Sequence, residues 1–311
     1  MPESLDDEVR IPLPPGFDFS WVMGFLAART VSSLESVGDE AYRRSVRLGA
    51  KPVVLTLRAV ERVNGRARAR PAREIAVTSR PPLPPNAAMA AVTRMLDLDA
   101  DLDTFRRLAR RDPILADLVR QRSGIRLPQL LDPFEGLTRA ILGQQVSVAG
   151  ASTMTDRLVR LLARPIPGAR RSGLLAFPTA GDVADVGADR LRAIGLTRAR
   201  ASTMATAARH IADGALDLHR LRERPSDEIQ SALTSLPGIG PWTASYVRMR
   251  ALGDRDAFPS ADLGVIKAME AAGVARRSIA AVAERWRPWR GYATLHLWAS
   301  LHAGRKSTAR R

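Results

Sequence analysis

The spacing of apolar and polar residues divides the chain into a short mixed region followed by a long helical one. Residues 52–60 and 73–78 are rich in β-branched and aliphatic residues with partial alternation, which predicts two strands. Residues 21–37 are predicted as a helix before them. A proline-rich stretch, residues 80–86, then follows and is stiff enough to separate domains. The pattern therefore predicts an α+β domain over residues 1–85 and a helical region over residues 86–311.

Apolar residues recur at helical spacing through most of the second region. Asp132 and Pro133 start one helix clearly, because they supply an N-cap and a proline in the first turn. The predicted helices cover residues 86–98, 103–110, 113–122, 133–142, 179–186, 188–194, 199–213, 226–235, 243–252, 263–269 and 292–302. Short helices joined by Gly and Pro turns favour an orthogonal array over an elongated bundle.

The most informative segment is residues 236–244, Leu-Pro-Gly-Ile-Gly-Pro-Trp-Thr-Ala. A Gly-x-Gly turn that opens directly into a helix presents unpaired backbone N–H groups at the positive helix end, where a phosphate can bind. Asp262 follows Gly240 by 22 residues, enough for a helix to end and return a carboxylate toward the bound strand. Taken alone, the turn is equally typical of a packing turn, and Asp262 is typical of a helix N-cap.

The charge of the chain agrees with a nucleic-acid partner. Lysine and arginine number 48 against 32 acidic residues, for a net charge of +16, and lysine occurs only at positions 51, 267 and 306. An excess of this size attracts polyanions. Charge alone leaves a solvated basic surface as the alternative.

Cysteine is absent from the sequence, which excludes disulfides, zinc–thiolate sites and cysteine-ligated iron–sulfur clusters. The four histidines, at positions 210, 219, 296 and 302, show no metal-binding spacing, so we expect no metal centre. No stretch is apolar and long enough to span a membrane, and the acidic residues 1–8 do not resemble a targeting signal. We therefore expect a cytoplasmic protein.

Four segments together resemble the AlkA-type DNA-3-methyladenine glycosylases, within the helix–hairpin–helix superfamily that also carries a Gly/Pro-rich loop and an Asp. The segments are residues 20–29, 139–148, 236–244 with Asp262, and 284–293. The resemblance extends over residues 14–302. It implies a small N-terminal antiparallel sheet with helices on one face, followed by an orthogonal all-α glycosylase fold. The helix–hairpin–helix would lie at about residues 230–252 and the Asp loop at residues 256–264.

The resemblance also implies a function. Such enzymes flip an alkylated base out of double-stranded DNA and hydrolyse its N-glycosidic bond, leaving an abasic site. Asp262 would stabilise the positive charge that develops on the sugar and position water. Trp242 stands where relatives that also cut the DNA backbone have a Schiff-base lysine, and Lys267 is predicted to point away. We therefore expect a monofunctional, monomeric enzyme that needs no cofactor.

The residues that match the base pocket of the family are Phe25, Gln144, Trp242, Tyr246 and Trp298. Aromatic faces suit a cationic base, and core packing is the alternative for these side chains. The residues that match the DNA contacts are Gln145, Pro237, Gly238, Ile239, Gly240 and Thr243. Where the family places an apolar finger, this chain has Gln145, so a wedge, a hydrogen bond to the orphaned base and an ordinary polar turn all stay open.

Two other functions fit the sequence less well. A non-catalytic helix–hairpin–helix protein that binds damaged DNA is disfavoured by Asp262 and the pocket aromatics. A glycosylase for oxidised or mismatched bases is disfavoured by Trp242 and by the absence of cluster cysteines. The resemblance leaves open a monovalent cation at the hairpin carbonyls, and it leaves the range of lesions open.

Overall fold

The computed structural model describes residues 8–38, 41–49, 51–60 and 74–308. Residues 1–7 of the acidic start and Arg73 of the second predicted strand lie outside this part of the chain. The N-terminal region contains an antiparallel sheet with strand order β1-β5-β4-β3-β2. Its strands are β1 (Val9–Pro12), β2 (Glu35–Val37), β3 (Tyr42–Leu48), β4 (Lys51–Val60) and β5 (Glu74–Arg80). The two predicted strands are confirmed as β4 and β5.

The first helix is shorter than predicted. Helix α1 (Phe19–Ala27) begins where Asp18 accepts a hydrogen bond from the Trp21 amide at 2.9 Å. The prediction that it continues to residue 37 is wrong, because the helix ends at Ala27 and β2 pairs with β3 at residues 35–37. Pairing with a strand elsewhere in the chain satisfies the backbone of β2, and the periodicity of residues 28–37 carries no information about that partner.

The region after the sheet is helical, as predicted. Its helices are α2 (Pro85–Leu96), α3 (Leu102–Ala109), α4 (Leu115–Gln121), α5 (Pro133–Leu142), α6 (Val148–Leu162), α7 (Ala180–Arg192), α8 (Arg198–Ala212), α9 (Leu218–Leu221), α10 (Ser226–Thr234), α11 (Pro241–Arg250), α12 (Leu263–Ala271), α13 (Ile279–Ala283) and α14 (Arg290–Thr308). Helix α7 is interrupted at Gly187, with φ of 72°, between the two helices predicted there. Helix α6 was not predicted. None of the described helices is long and apolar enough to cross a membrane.

The three largest apolar cores among the described residues hold these elements together. The sheet packs against α1 and α2, with Val92 and Leu55 fully buried between them, so the first element after residue 85 shares the core of the sheet. A second core lies among α5 to α11, and a third lies among α3, α4, α12, α13 and α14. A small antiparallel sheet followed by a helical array confirms the predicted α+β class.

A buried ionic network, here called the paired cluster, joins the sheet to α5 and consists of Glu35, Arg44, Glu135 and Arg139. Arg44 donates to Glu35 at 2.9 Å and to Glu135 at 2.5 Å. Arg139 donates to the same two carboxylates at 3.2 and 3.1 Å. Burial alone would raise the pKa of Glu35, but the guanidinium groups of Arg44 and Arg139 hold that pKa below its ordinary value. The two positive charges of the arginines are matched by the two negative charges of the glutamates, so the paired cluster holds α5 against the sheet.

Candidate active site

A cavity of about 1120 Å³ opens between the second and third cores. Its wall is built from the end of α5 and the following turn, the start of α6, the hairpin before α11, the first turns of α11 and α12, and α14. The predicted site residues on this wall are Gln144, Gln145, Gly238, Gly240, Trp242, Thr243, Tyr246, Asp262 and Trp298. Residues that are far apart in sequence thus meet at one opening.

The turn between α10 and α11 is shaped by the protein itself. Gly238 has φ of 83°, and a Cβ there would collide with Oγ1 of Thr203. A side chain at 238 is therefore excluded by the fold before any ligand arrives. The amide of Ile239 donates to the Leu236 carbonyl at 3.0 Å, which closes the turn.

Two predicted DNA contacts are placed differently from the rest. The Ile239 side chain is buried in the second core, and its amide is already bonded within the turn. The side chain and the amide of Ile239 hold the turn, and its predicted contact with DNA stays a prediction. Pro237 is exposed at the hairpin but does not line the cavity.

The N-terminus of α11 leaves donors free. Gly240 is the N-cap and supplies no side-chain hydrogen bond, and Pro241 has no amide hydrogen. Trp242 and Thr243 lie in the first turn, where amides lack an intrahelical acceptor, and in the described part of the chain no other group accepts from them. Gly240 has an ordinary φ of −86°, and no described atom lies within 4 Å of where its Cβ would stand. This helix end can bind an anion.

Asp262 is held rigidly at the cavity wall. It is the N-cap of α12, and its Oδ1 accepts from the amides of Gly264 at 2.9 Å and Val265 at 3.1 Å. The indole of Trp298 donates to the same oxygen at 2.9 Å, and the indole of Trp242 donates to Oδ2 at 3.1 Å. Capping and a catalytic position are therefore compatible in one residue. All four bonds use the carboxylate as an acceptor and fix its orientation.

Aromatic rings continue from the carboxylate along the cavity. Trp242 stacks on Tyr246 with ring centroids 5.5 Å apart, as the predicted i, i+4 spacing requires. Trp298 lies 6.5 Å from Tyr246 and 6.5 Å from Phe25. The wall can therefore stack on a planar ring close to Asp262.

Phe25 does not itself line the cavity, which corrects its predicted place in the pocket. Its ring is 7% exposed and is covered by the guanidinium groups of Arg29 and Arg250, 3.7 and 4.6 Å from its centroid. Phe25 thus supports Trp298 and the two arginines from behind.

The two glutamines after α5 have different surroundings. The Gln144 amide donates to the Gly238 carbonyl and to Oγ1 of Thr243, each at 3.0 Å, so it ties this turn to the hairpin. Gln145 is exposed at the mouth of the cavity in a left-handed conformation, with φ of 56°. Its predicted role as a finger stays a prediction.

Sequence reasoning missed the arginines of the cavity wall. Arg29, Arg139 and Arg250 all line it. Their positive charges, Arg250 first, outweigh burial and lower the pKa of Tyr246, whose hydroxyl lies against them. Burial in turn lowers the pKa of Arg250 to about 10. Arg29 follows Phe25 by four residues, and that i, i+4 spacing was the available signal.

Apolar side chains at the mouth were also missed. Leu263, directly after Asp262, is 69% exposed, and Val148 at the start of α6 is 47% exposed. Both line the cavity. Among the described residues, no group of three or more histidine or acidic side chains is arranged to hold a metal ion.

Comparisons with known proteins agree with this geometry. One family model, the AlkA N-terminal domain, matches residues 8–132, and another, the HhH-GPD superfamily base excision DNA repair protein, matches residues 138–290. The chain is 36% identical to DNA-3-methyladenine glycosylase 2 of Escherichia coli over 288 residues, which are 91% of this chain and 94% of that protein.

A longer relative and a solved structure extend the comparison. The chain is 36% identical to the probable bifunctional transcriptional activator/DNA repair enzyme AlkA of Mycobacterium tuberculosis, over 94% of this chain but 57% of that protein. It therefore spans little more than half of that relative. Its fold is similar to that of a 3-methyladenine DNA glycosylase from Archaeoglobus fulgidus, with a TM-score of 0.78, 24% identity, and coverage of 93% of this chain and 97% of the other.

Proposed function

Because the chain belongs to the family of DNA-3-methyladenine glycosylase 2, within the HhH-GPD superfamily, we propose that it excises alkylated bases from double-stranded DNA. The observation that carries the proposal is the position of Asp262, which four hydrogen bonds hold beside aromatic rings at the mouth of a cavity. A flipped nucleotide would place its base against the rings and its sugar beside the carboxylate.

The hairpin and the basic surface account for DNA binding. Amides of Trp242 and Thr243 at the positive end of α11 would bind a backbone phosphate next to the flipped nucleotide. The net charge of +16 adds attraction that does not depend on sequence. Gln145, exposed beside the hairpin, would enter the space that the base leaves.

The chemical step follows from the charge that develops. As the N-glycosidic bond breaks, its electron pair leaves with the base and C1′ of the sugar becomes positive. The Asp262 carboxylate stabilises this charge, because its orientation is fixed before the reaction begins. Water then adds to C1′ and loses a proton to the surrounding solvent, which leaves an abasic site. An alkylated base is already cationic and departs as a neutral molecule.

The enzyme is proposed to be monofunctional. Trp242 occupies the position of the Schiff-base lysine in lyases, and among the described residues no lysine lines the cavity. The reaction needs no cofactor, and we further propose that the protein acts as a monomer. A monovalent cation at the hairpin carbonyls stays a prediction.

Release of free bases tests the proposal directly. DNA treated with a methylating agent is incubated with the protein, and released bases are identified by chromatography. We expect 3-methyladenine in the supernatant, strand breaks only after alkali or heat, and no covalent adduct after borohydride reduction.

Other outcomes would identify the alternatives. Binding to alkylated DNA without base release would favour a non-catalytic binding protein. Release only from duplexes containing oxidised or mismatched bases would favour the second alternative. A borohydride-stable adduct would contradict the monofunctional mechanism.

A further inference from the structure

A glycine in the first turn of α12 lies against the indole of Trp298. A Cβ at Gly264 would stand 2.9 Å from Cδ1 and 3.1 Å from Nε1 of that indole. It would also stand 3.0 Å from Oδ1 of Asp262. Glycine at position 264 therefore leaves room at the point where the indole and the carboxylate meet.

The backbone does not require glycine at this position. Gly264 is the second residue of α12, and its φ lies outside the left-handed region. Gly238, by contrast, has φ of 83°. Glycine is less favourable than alanine within a helix, so its presence at 264 is not explained by helix formation. The reason lies in what Gly264 contacts.

The edge of the indole that faces Gly264 is the edge that donates to Asp262. Nε1 of Trp298 donates to Oδ1 of Asp262 at 2.9 Å. Carbon atoms pack at about 3.5–4.0 Å, so a methyl group at 264 would move the indole or the first turn of α12 by roughly 0.6 Å. Either movement lengthens or misaligns the bond between Trp298 and Asp262, and hydrogen bonds weaken steeply when their geometry is lost.

The face of the indole is packed as well. The ring of Phe25 stacks on Trp298 with centroids 6.5 Å apart, and the guanidinium of Arg29 lies 5.9 Å from the centroid of Trp298. Arg29 and Arg250 cover Phe25 and donate to the carbonyl groups of Phe25 and Pro128, which fixes them there. A displaced indole would disturb these contacts too, so a side chain at 264 is not absorbed freely.

We propose that Gly264 is a positioning residue, because its lack of a side chain lets the indole of Trp298 reach Asp262 and fix the carboxylate. The inference rests on the proposed function, in which Asp262 stabilises the charge that develops on the sugar. A carboxylate held in place before the reaction stabilises that charge without reorienting. Gly264 acts through Trp298 and Asp262.

Room for DNA is the alternative explanation, because Gly264 also lines the cavity. The two explanations predict different behaviour. A side chain that blocked DNA would act whether or not an indole is present at 298, and it would weaken DNA binding. A side chain that displaced the indole would act only while the indole is there.

The test is a double-mutant cycle of Gly264→Ala and Trp298→Phe, with single-turnover release of 3-methyladenine from methylated duplex DNA. Gly264→Ala alone should slow release by about 10-fold or more, because it disturbs a hydrogen bond to a charged group. In the Trp298→Phe background that bond is already absent, so the same substitution should slow release by less than about 3-fold. Affinity for undamaged DNA should change by less than about 2-fold in all variants.

The indole resonance reports the bond directly. The protein has five tryptophans, and after isotopic labelling of the indole nitrogens the signal lost in Trp298→Phe identifies Trp298. We expect Gly264→Ala to move this resonance toward that of an indole without an acceptor. The resonance of Trp286, which donates to Asp112 at 2.8 Å, should not move.

Gly181→Ala is the matched control. Gly181 is likewise the second residue of a helix, α7, and follows the N-cap residue Thr179 by two positions. The nearest described side-chain atom to a Cβ there would be Oγ1 of Thr179, at an ordinary 3.7 Å, and Gly181 does not line the cavity. Its substitution should change neither the rate of release nor the resonance of Trp298.

Several results would overturn the inference and leave the proposed function intact. They are equal slowing by Gly264→Ala in both backgrounds, an unchanged rate, and an unchanged Trp298 resonance. A loss of affinity for undamaged DNA would assign Gly264 to DNA contact instead. If Gly264→Ala is unstable, Trp298→Phe must restore its stability, and failure to do so also contradicts the inference.

Failure of the proposed function is distinguishable from these results. It would appear as an unaltered protein that releases no base from methylated DNA. The resonance of Trp298 would then still decide whether Gly264 controls the contact between the indole and Asp262.

Discussion

At the junction between the sheet and α5, each buried guanidinium faces two carboxylates, whereas at the cavity Arg29 and Arg250 face rings and carbonyl groups. The paired cluster balances two arginines against Glu35 and Glu135 within 3.2 Å. Within the described part of the chain, Arg29 and Arg250 form no ion pair with a carboxylate. Both regions contain guanidinium groups that are at least partly buried, but only in the paired cluster is each one matched by carboxylates.

The difference separates scaffold from site. A complete network has nothing left to offer a ligand and acts by fixing the elements that it joins. An incomplete one keeps donors available, and a ligand can satisfy them. Arg139 is part of the paired cluster through its ion pairs, and it also lines the cavity. The paired cluster therefore positions the wall on which the proposed chemistry depends.

Breaking the paired cluster should produce the largest effect, and the effect should be on stability. Glu135→Gln leaves Arg44 and Arg139 sharing a single carboxylate, so we expect a loss of about 3–5 kcal/mol in the free energy of unfolding. Urea denaturation measures it. The ratio of excision rates for different lesions should not change.

Glu228→Gln serves as the control for this variant. Glu228 pairs with Arg224 on the surface of the protein, where both side chains are largely solvated. Its loss should cost less than about 1 kcal/mol. Equal costs for Glu135→Gln and Glu228→Gln would contradict the view that the paired cluster is a structural element.

Removing the negative charge from the cavity should instead abolish activity and spare stability. Asp262→Asn keeps a side chain that caps α12, but it removes the anion beside the sugar. We expect excision to fall by at least about 10²-fold. Asp132→Asn makes the equivalent change at the N-cap of α5, where the carboxylate accepts from the Phe134 amide. Comparable activity losses in the two variants would refute the catalytic assignment.

A smaller loss is expected when the carboxylate remains but one indole is removed. Trp298→Phe keeps an aromatic ring and deletes the hydrogen bond to Asp262. A hydrogen bond to a charged group contributes about 1.5–3 kcal/mol, so excision should slow by roughly 10- to 100-fold. Binding to undamaged DNA, measured by fluorescence anisotropy, should be unchanged.

Trp286→Phe provides the comparison for this variant. Trp286 donates to Asp112 at 2.8 Å in the third core, away from the cavity. It should cost stability without slowing excision by the folded protein. A Trp298→Phe enzyme with normal single-turnover rates would show that the orientation of Asp262 does not depend on this bond.

Local patterns in the sequence were sufficient for the caps and turns of the site. Asp262 caps α12 through the amides two and three residues away, and the Gly-x-Gly pattern marks the turn at Gly238. The aromatic pair Trp242 and Tyr246 follows from helical spacing. The family resemblance predicted that these segments come together in one site. What neither source supplied was which buried charges are paired.

The reason is sequence separation. Arg44 and Glu135 lie 91 residues apart and belong to a strand and a helix, so no periodicity links them. The same limit explains why β2 was taken for helix and why Phe25 was placed on the cavity wall. Whether an arginine completes an ion pair or faces a cavity depends on the packed structure alone.

The two hairpin glycines, Gly238 and Gly240, test whether the N-terminus of α11 binds a DNA phosphate. The fold itself requires Gly238, but nothing in the described structure requires Gly240. Aspartate is a favourable N-cap residue, so Gly240→Asp should preserve or raise the melting temperature. It would also place a negative charge where the phosphate is proposed to bind. We expect affinity for damaged and undamaged DNA to fall about equally, by roughly 5- to 10-fold.

Gly240→Asn separates charge from shape, because asparagine caps α11 as well as aspartate does and carries no charge. If the amides of Trp242 and Thr243 bind a phosphate, Gly240→Asn should bind DNA more tightly than Gly240→Asp, and the gap should narrow as salt is raised. Equal affinities would mean that bulk alone matters at this position. A selective loss of damaged-DNA binding would place Gly240 in base recognition, and the division between a phosphate-binding hairpin and a base-binding cavity would not hold.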